Sequence, residues 1–170
     1  MNMRRRWLAF CRWAGGVAGQ GGPPAGQAEE AFGDLDRRYR GPGRHYHAWR
    51  QVAACLGELR RARPPAGEAL GLELAVWFHD AVYEPRRQDN EARSAELALR
   101  WASALALAPA LGERAAELIL ATRYQQPGLP SGAAEELLRD VDLAVLGGCR
   151  GAYLRSERGI ALMMVLVTVA

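Results

Sequence analysis

Apolar residues recur at helical spacing along most of the chain, and segments rich in glycine and proline separate these stretches. A period of 3.6 residues is typical of helices that bury one face. It predicts helices over residues 4–14, 27–39, 44–63, 68–83, 89–107, 111–124 and 131–147. The breaks at 15–26, 40–43, 64–67 and 125–132 carry the glycines and prolines that end helices. Because no alternating strand pattern interrupts the series, the sequence predicts an all-α fold, a compact helical bundle.

One predicted helix, from Glu68 to Tyr83, is apolar on nearly all sides, as expected for the central helix of a bundle. Its exception is the adjacent pair His79 and Asp80. A buried carboxylate is costly unless a partner compensates its charge. On a helix the two side chains point about 100° apart, near enough for both to lean toward one metal ion. Hydrogen bonding with a purely structural role is the alternative interpretation.

Composition narrows the class of protein. A length of 170 residues suits one domain with a single core. All 22 basic residues are arginines, which excludes chemistry that needs a lysine, such as Schiff-base formation or a phosphate-loop lysine. The net charge of +3 is small and the arginines are interspersed with acids, so we expect a solvated surface and no nucleic-acid partner.

The cysteines and the two ends of the chain bear on its location. Cys11, Cys55 and Cys149 lie far apart and are odd in number, so neither a disulfide framework nor a zinc-type spacing follows. Arg12 interrupts the apolar segment at the start of the chain, whereas a signal peptide has an uninterrupted apolar region there. The apolar end, GIALMMVLVTVA, is shorter than the roughly 20 residues that cross a bilayer. We therefore expect a cytoplasmic protein with no membrane partner.

Few residues are suited to ligate a metal through nitrogen. Besides His79, the histidines are His45 and His47, and His47 lies four residues before Gln51, on the same face of a helix. The segment RDVDLAVLG supplies two further acids, Asp140 and Asp142.

Four stretches together resemble the HD superfamily of predicted metal-dependent phosphohydrolases, in the branch with an Arg-x-Tyr-His signature. They are RRYRGPGRHYHAW (37–49), LELAVWFHDAVYEPRRQDNEARSA (72–95), LILATRY (118–124) and LLRDVDLAVLGG (137–148). The resemblance extends from about Trp7 to Tyr153. It divides the chain into an N-terminal helix and loop (1–26), an HD-like domain (27–153) and an atypical apolar tail (154–170). After Tyr153 the charged helical continuation of the family is missing, which suggests a truncated or frame-shifted end.

The resemblance implies an HD-type bundle around a divalent metal ion. His79 and Asp80 match the paired ligands of the family, and Asp142 matches its distant aspartate, with Asp140 as the second choice. The identity of the metal stays open among manganese, cobalt, nickel, magnesium, zinc and iron. Where the family carries a further histidine ligand, this chain has Gln51, and His47 is the residue that could substitute for it.

The activity implied is hydrolysis of a phosphoester of a small phosphorylated molecule, for example a nucleotide, by a metal-activated water. Arg44 could hold the phosphate through a bidentate contact, and Asp80 belongs to the reacting centre. Glu91 could orient water or support a ligand, or it could simply complement a helix start.

An alternative function is favoured by two positions where the family tends to have histidine and this chain does not. The first is Gln51, and the second is occupied by Tyr124 and Gln125. On this hypothesis the chain is a catalytically degenerate HD domain that acts as a metal- or ligand-binding regulatory module. The apolar end also leaves a homo-oligomer open, since such a surface promotes association.

Overall fold

The computed structural model of the protein describes residues 2–17, 19, 22–42, 44, 48–123 and 132–147. These residues form seven α-helices: α1 (Met3–Val17), α2 (Gln27–Tyr39), α3 (Trp49–Ala62), α4 (Ala66–Phe78), α5 (Asn90–Ala104), α6 (Pro109–Ala121) and α7 (Ala133–Gly147). No strand occurs in these ranges, so the all-α bundle predicted from the sequence is confirmed. Within them, no helix has the length and apolar character needed to cross a membrane.

Helix α4 occupies the centre of the bundle and packs against α3, α5, α6 and α7. Its residues from Leu74 to Phe78 are all buried, which agrees with its apolar character on nearly all sides. Helices α5 and α6 lie close together at Gly112, where a Cβ atom would lie 2.9 Å from the Cβ of Ala102. The central position of α4 places its C-terminal end, and with it His79, inside the bundle.

Helix α1 packs into the same hydrophobic core as the later helices. Trp7 is fully buried, and its ring lies edge-on to Trp77 and Phe78, with centroid separations of 5.2 and 5.9 Å. Its indole N–H donates a hydrogen bond of 2.7 Å to the carbonyl of Ala28. The helix that the sequence separates by a glycine-rich segment is therefore a packed part of the bundle.

The end of α4 differs from the prediction. The helix ends at Phe78, whereas the apolar pattern predicted a continuation to Tyr83. His79 is the C-terminal capping residue and Asp80 lies in the turn that follows, so the pair does not sit within a helix. The apolar pattern was misleading because burial continues through this turn, with Ala81 and Val82 also in the core.

Side chains from other elements satisfy the backbone of this turn in place of helical hydrogen bonds. Arg44 donates to two carbonyls, the amide of Asn90 bonds both backbone groups of Glu84, and Ser94 bonds both backbone groups of Val82. Pro85 also disfavours helical geometry at the residue before it. Because these partners remove the need for a helical ladder, the chain can turn sharply after His79.

Other helix ends shift by a few residues from the predicted ones. Helix α3 begins at Trp49, and Arg44 lies outside it. Helix α5 stops at Ala104, shortly before Ala106, which has a left-handed φ of 52°. Helix α6 begins at Pro109 because proline suits the first turn of a helix, where its missing N–H costs nothing. The tail at 154–170 lies outside the described residues.

Candidate metal centre

Three helices bring polar side chains together at the C-terminal end of α4. His79 caps α4, Gln51 lies in the first turn of α3, and Asp142 lies on α7, which packs against both α3 and α4. The side chain of His79 is only 2% exposed, whereas Asp80 and Asp142 are 18% and 15% exposed. The cluster therefore has a buried imidazole on its inner side and two carboxylates between that ring and solvent.

The imidazole of His79 faces both carboxylates through one nitrogen. Its Nε2 atom lies 3.2 Å from Oδ2 of Asp80 and 3.3 Å from Oδ1 of Asp142. The other nitrogen, Nδ1, lies 3.0 Å from the carbonyl oxygen of Val76. Since a carbonyl only accepts hydrogen bonds, Nδ1 carries the proton and donates it to Val76. In the neutral ring, Nε2 then carries a lone pair that faces the carboxylate oxygens of Asp80 and Asp142, which are also acceptors.

Such an arrangement of three acceptors is repulsive unless a cation lies among them. The cation can be a proton on Nε2 or a metal ion. Burial opposes the charged ring, but the carboxylates of Asp80 and Asp142 outweigh it and hold the pKa of His79 well above its usual range. A proton on Nε2 is thus favoured by the two carboxylates and is the alternative to a metal ion at this position.

Gln51 contacts the cluster through its amide nitrogen. Nε2 of Gln51 donates a hydrogen bond of 2.6 Å to Oδ1 of Asp142. The carboxylate can only accept, so this contact fixes the orientation of the amide. Its other end, Oε1, is buried and has no hydrogen-bond partner among the described residues. Gln51 thus orients Asp142 and still presents an uncompensated oxygen.

The sequence did not single out Cys55, which the structure adds to this cluster. Its Sγ atom, a ring nitrogen of His79 and a carboxylate oxygen of Asp142 all lie within 4.8 Å of one another. Cys55 is buried, and burial raises the pKa of its thiol to about 12. The signal in the sequence was its position four residues after Gln51, on the same face of α3.

Arg44 supports the turn that carries the pair. Its Nη1 atom donates to the carbonyl of Asp80 at 2.6 Å and its Nη2 atom to the carbonyl of Ala81 at 2.9 Å. The guanidinium also lies over the rings of Tyr39 and Tyr83, 5.7 and 5.6 Å from their centroids. Arg44 therefore lies next to the site, but both of its Nη atoms already donate to backbone carbonyls. A phosphate would have to share these donors.

The remaining predicted site residues have different positions. Glu91 lies in the first turn of α5. Burial and the charge of Asp80 raise the pKa of the Tyr83 phenol, and the charge of Glu91 adds to this rise. Asp142, rather than Asp140, is the acid of α7 that lies at His79, because residues two apart on a helix point about 200° apart. His47, together with Tyr124 and Gln125, lies outside the described residues.

The donor set fits a divalent metal ion. In a tetrahedral zinc site, bonds of about 2.0–2.2 Å separate neighbouring nitrogen and oxygen ligands by about 3.4 Å. The distances from Nε2 of His79 to Asp80 and Asp142 are 3.2 and 3.3 Å. A buried nitrogen without a hydrogen-bond partner, facing two carboxylates at this spacing, is what a cation would compensate.

The chain matches no protein-family model, no curated protein and no solved structure. The resemblance to the HD superfamily therefore remains a prediction.

Proposed function

We propose that the protein is a metal-dependent phosphohydrolase of the HD type, which cleaves a phosphoester of a small molecule such as a nucleotide. The observation that carries the proposal is the Nε2 atom of His79. It is buried, has no hydrogen-bond partner among the described residues, and faces Asp80 and Asp142 at the spacing of metal ligands. The resemblance of four sequence stretches to the HD superfamily supplies the class of reaction.

Each residue of the cluster would have a separate role. His79, fixed by its Nδ1 hydrogen bond to Val76, and Asp142, fixed by Gln51, would hold the ion. When bound, a divalent ion lowers the pKa of a water ligand toward neutrality and polarises a phosphate oxygen. Asp80, the more exposed of the two carboxylates, would accept the proton of the attacking water.

The positive charge needed near a phosphate comes from Arg44, which lies beside Asp80. Because its Nη atoms hold the turn, we assign it first the positioning of Asp80 and only second the attraction of the anionic substrate. In the hydrolysis, the water oxygen bonds to phosphorus while the bond from phosphorus to the alcohol oxygen breaks. The alcohol takes up a proton as it leaves.

Two acids of α7 provide a matched test. The purified protein is analysed for metal by elemental spectroscopy and then assayed with manganese, cobalt, nickel, zinc or magnesium on a panel of phosphomonoesters that includes nucleotides. We expect an equimolar metal content and turnover in the wild type and in Asp140→Ala. Both should be lost in Asp142→Ala, and turnover should be lost in Asp80→Ala. Absence of turnover with every metal would refute the hydrolase.

The hydrogen bond from Gln51 to Asp142 favours a second candidate, a degenerate HD domain that binds a metal or ligand without catalysis. A neutral amide is a weaker ligand for transition metals than imidazole. On this hypothesis, Gln51→His should strengthen metal binding, measured by calorimetric titration, without the wild type showing turnover. Tight metal binding by the unaltered chain would contradict it.

A further inference from the structure

We infer that Cys55 is a ligand of the proposed metal centre and that the ion it selects is zinc. The inference rests on the proposed metal site but not on its catalysis. Sγ of Cys55 lies with a ring nitrogen of His79 and an oxygen of Asp142 in a group of three ligand atoms no more than 4.8 Å apart. Three such ligands, one each of sulfur, nitrogen and oxygen, come from three different helices.

The distances require only a small contraction around an ion. With zinc–sulfur bonds of about 2.3 Å and zinc–nitrogen bonds of about 2.0–2.1 Å, neighbouring ligand atoms lie about 3.5 Å apart. The pair of His79 and Asp142 already has this spacing, at 3.3 Å. The widest separation in the group therefore has to shorten by at most about 1.3 Å, which a side-chain rotation can provide.

A second observation points to a ligand in the same place. Two buried polar atoms of the cluster, Nε2 of His79 and Oε1 of Gln51, have no hydrogen-bond partner among the described residues. A cysteine buried merely as a small apolar side chain would not explain the Nε2 atom of His79, which faces Asp142, the third member of the group, at 3.3 Å. Cys11 shows the contrast, because it is equally buried but belongs to no group of potential metal ligands in the described part of the chain.

Sulfur changes which metal the site prefers. Thiolate is a soft ligand that favours zinc, whereas magnesium and manganese favour sets made of carboxylate, carbonyl and water. A site with one sulfur, one imidazole and carboxylates therefore selects zinc, and cobalt as its spectroscopic substitute. On binding, the thiol releases its proton to solvent and His79 binds through its neutral Nε2. Three protein ligands would leave a fourth position for a water molecule, with Asp80 beside it.

Cobalt substitution tests the sulfur ligand directly. The full chain is stripped with a chelator and titrated with Co²⁺, and the near-ultraviolet charge-transfer band of thiolate–cobalt bonds is recorded. We expect the band in the wild type and in Cys11→Ala, and its absence in Cys55→Ser. Zinc affinity, measured by competition with a chromophoric chelator, should fall at least about tenfold in Cys55→Ser, because loss of a residue that only orients a ligand already costs about 10–100-fold.

If Cys55→Ser fails to fold, a variant whose only cysteine is Cys55 still tests the assignment. The double variant Cys11→Ala with Cys149→Ala should retain the band, and its loss would overturn the assignment. A band and a zinc affinity that persist in Cys55→Ser would overturn it as well. Turnover with manganese or magnesium and no thiolate band would refute the zinc ligand while leaving the hydrolase intact. Zinc binding with the band but no turnover would refute only the hydrolase.

Discussion

Replacing Arg44 tests whether this residue positions the turn that carries the metal ligands or serves only to bind phosphate. The guanidinium spans the carbonyls of Asp80 and Ala81 with two donors, at 2.6 and 2.9 Å, and lies over two tyrosine rings. Arg44→Ala removes all four contacts, and Arg44→Lys keeps the charge but cannot span both carbonyls with a planar fork.

The expected cost follows from these contacts. A hydrogen bond from a charged donor contributes about 1.5–3 kcal/mol, and each contact with a ring face about 0.5–1 kcal/mol. Since the site is only partly buried, water replaces part of what is lost, and we expect Arg44→Ala to lower the free energy of unfolding by about 3 kcal/mol. For a chain of this length, 1 kcal/mol shifts the Tm by about 2–4 °C, so the Tm should fall by about 6–12 °C.

The assay is thermal and urea unfolding followed by circular dichroism, with chelator and without substrate. Arg40→Ala is the matched control, because Arg40 is 71% exposed and its ion pair with Asp36 on the helix surface contributes only about 0.3–0.5 kcal/mol. A loss below about 0.5 kcal/mol in Arg44→Ala would refute the positioning role. A change confined to the KM for substrate would then assign Arg44 to the phosphate.

Three further outcomes follow from the structure. The pKa of His79 is raised in the folded state, so its protonation stabilises the metal-free protein fully below about pH 6.5. This stabilisation is lost as the pH rises through the higher folded-state pKa. The Tm measured in chelator should therefore fall toward alkaline pH, and it should fall less in His79→Gln. Trp7→Ala should cost about 3–5 kcal/mol in urea unfolding, whereas Trp13→Ala, at a residue 48% exposed on the same helix, should cost far less; equal losses would contradict the packing of α1. Gly112→Ala should cost about 1–3 kcal/mol, because its new methyl group would lie 2.9 Å from the Cβ of Ala102; an unchanged unfolding midpoint would show that the two helices separate without penalty.

The sequence by itself determined the helices and their order. Apolar periodicity and the glycine–proline breaks are local properties, so they located all seven helices and gave the bounds of α2 as the structure has them. The same local pattern failed at the end of α4. There the competing hydrogen bonds come from Arg44, Asn90 and Ser94, whose approach to the turn depends on how the chain folds.

Part of the candidate site was likewise predictable from the sequence, and part depended on the tertiary structure. The sequence drew attention to His79, Asp80, Asp142 and Gln51, because a polar pair in an apolar run and a family resemblance are both visible along the chain. Cys55 had only its spacing of four residues from Gln51, and a cysteine in an apolar helix otherwise resembles a core residue. Only the packing of α3 and α7 against the end of α4 decided that its sulfur lies with the histidine and the aspartate, because ligand atoms far apart in sequence converge through tertiary contacts alone.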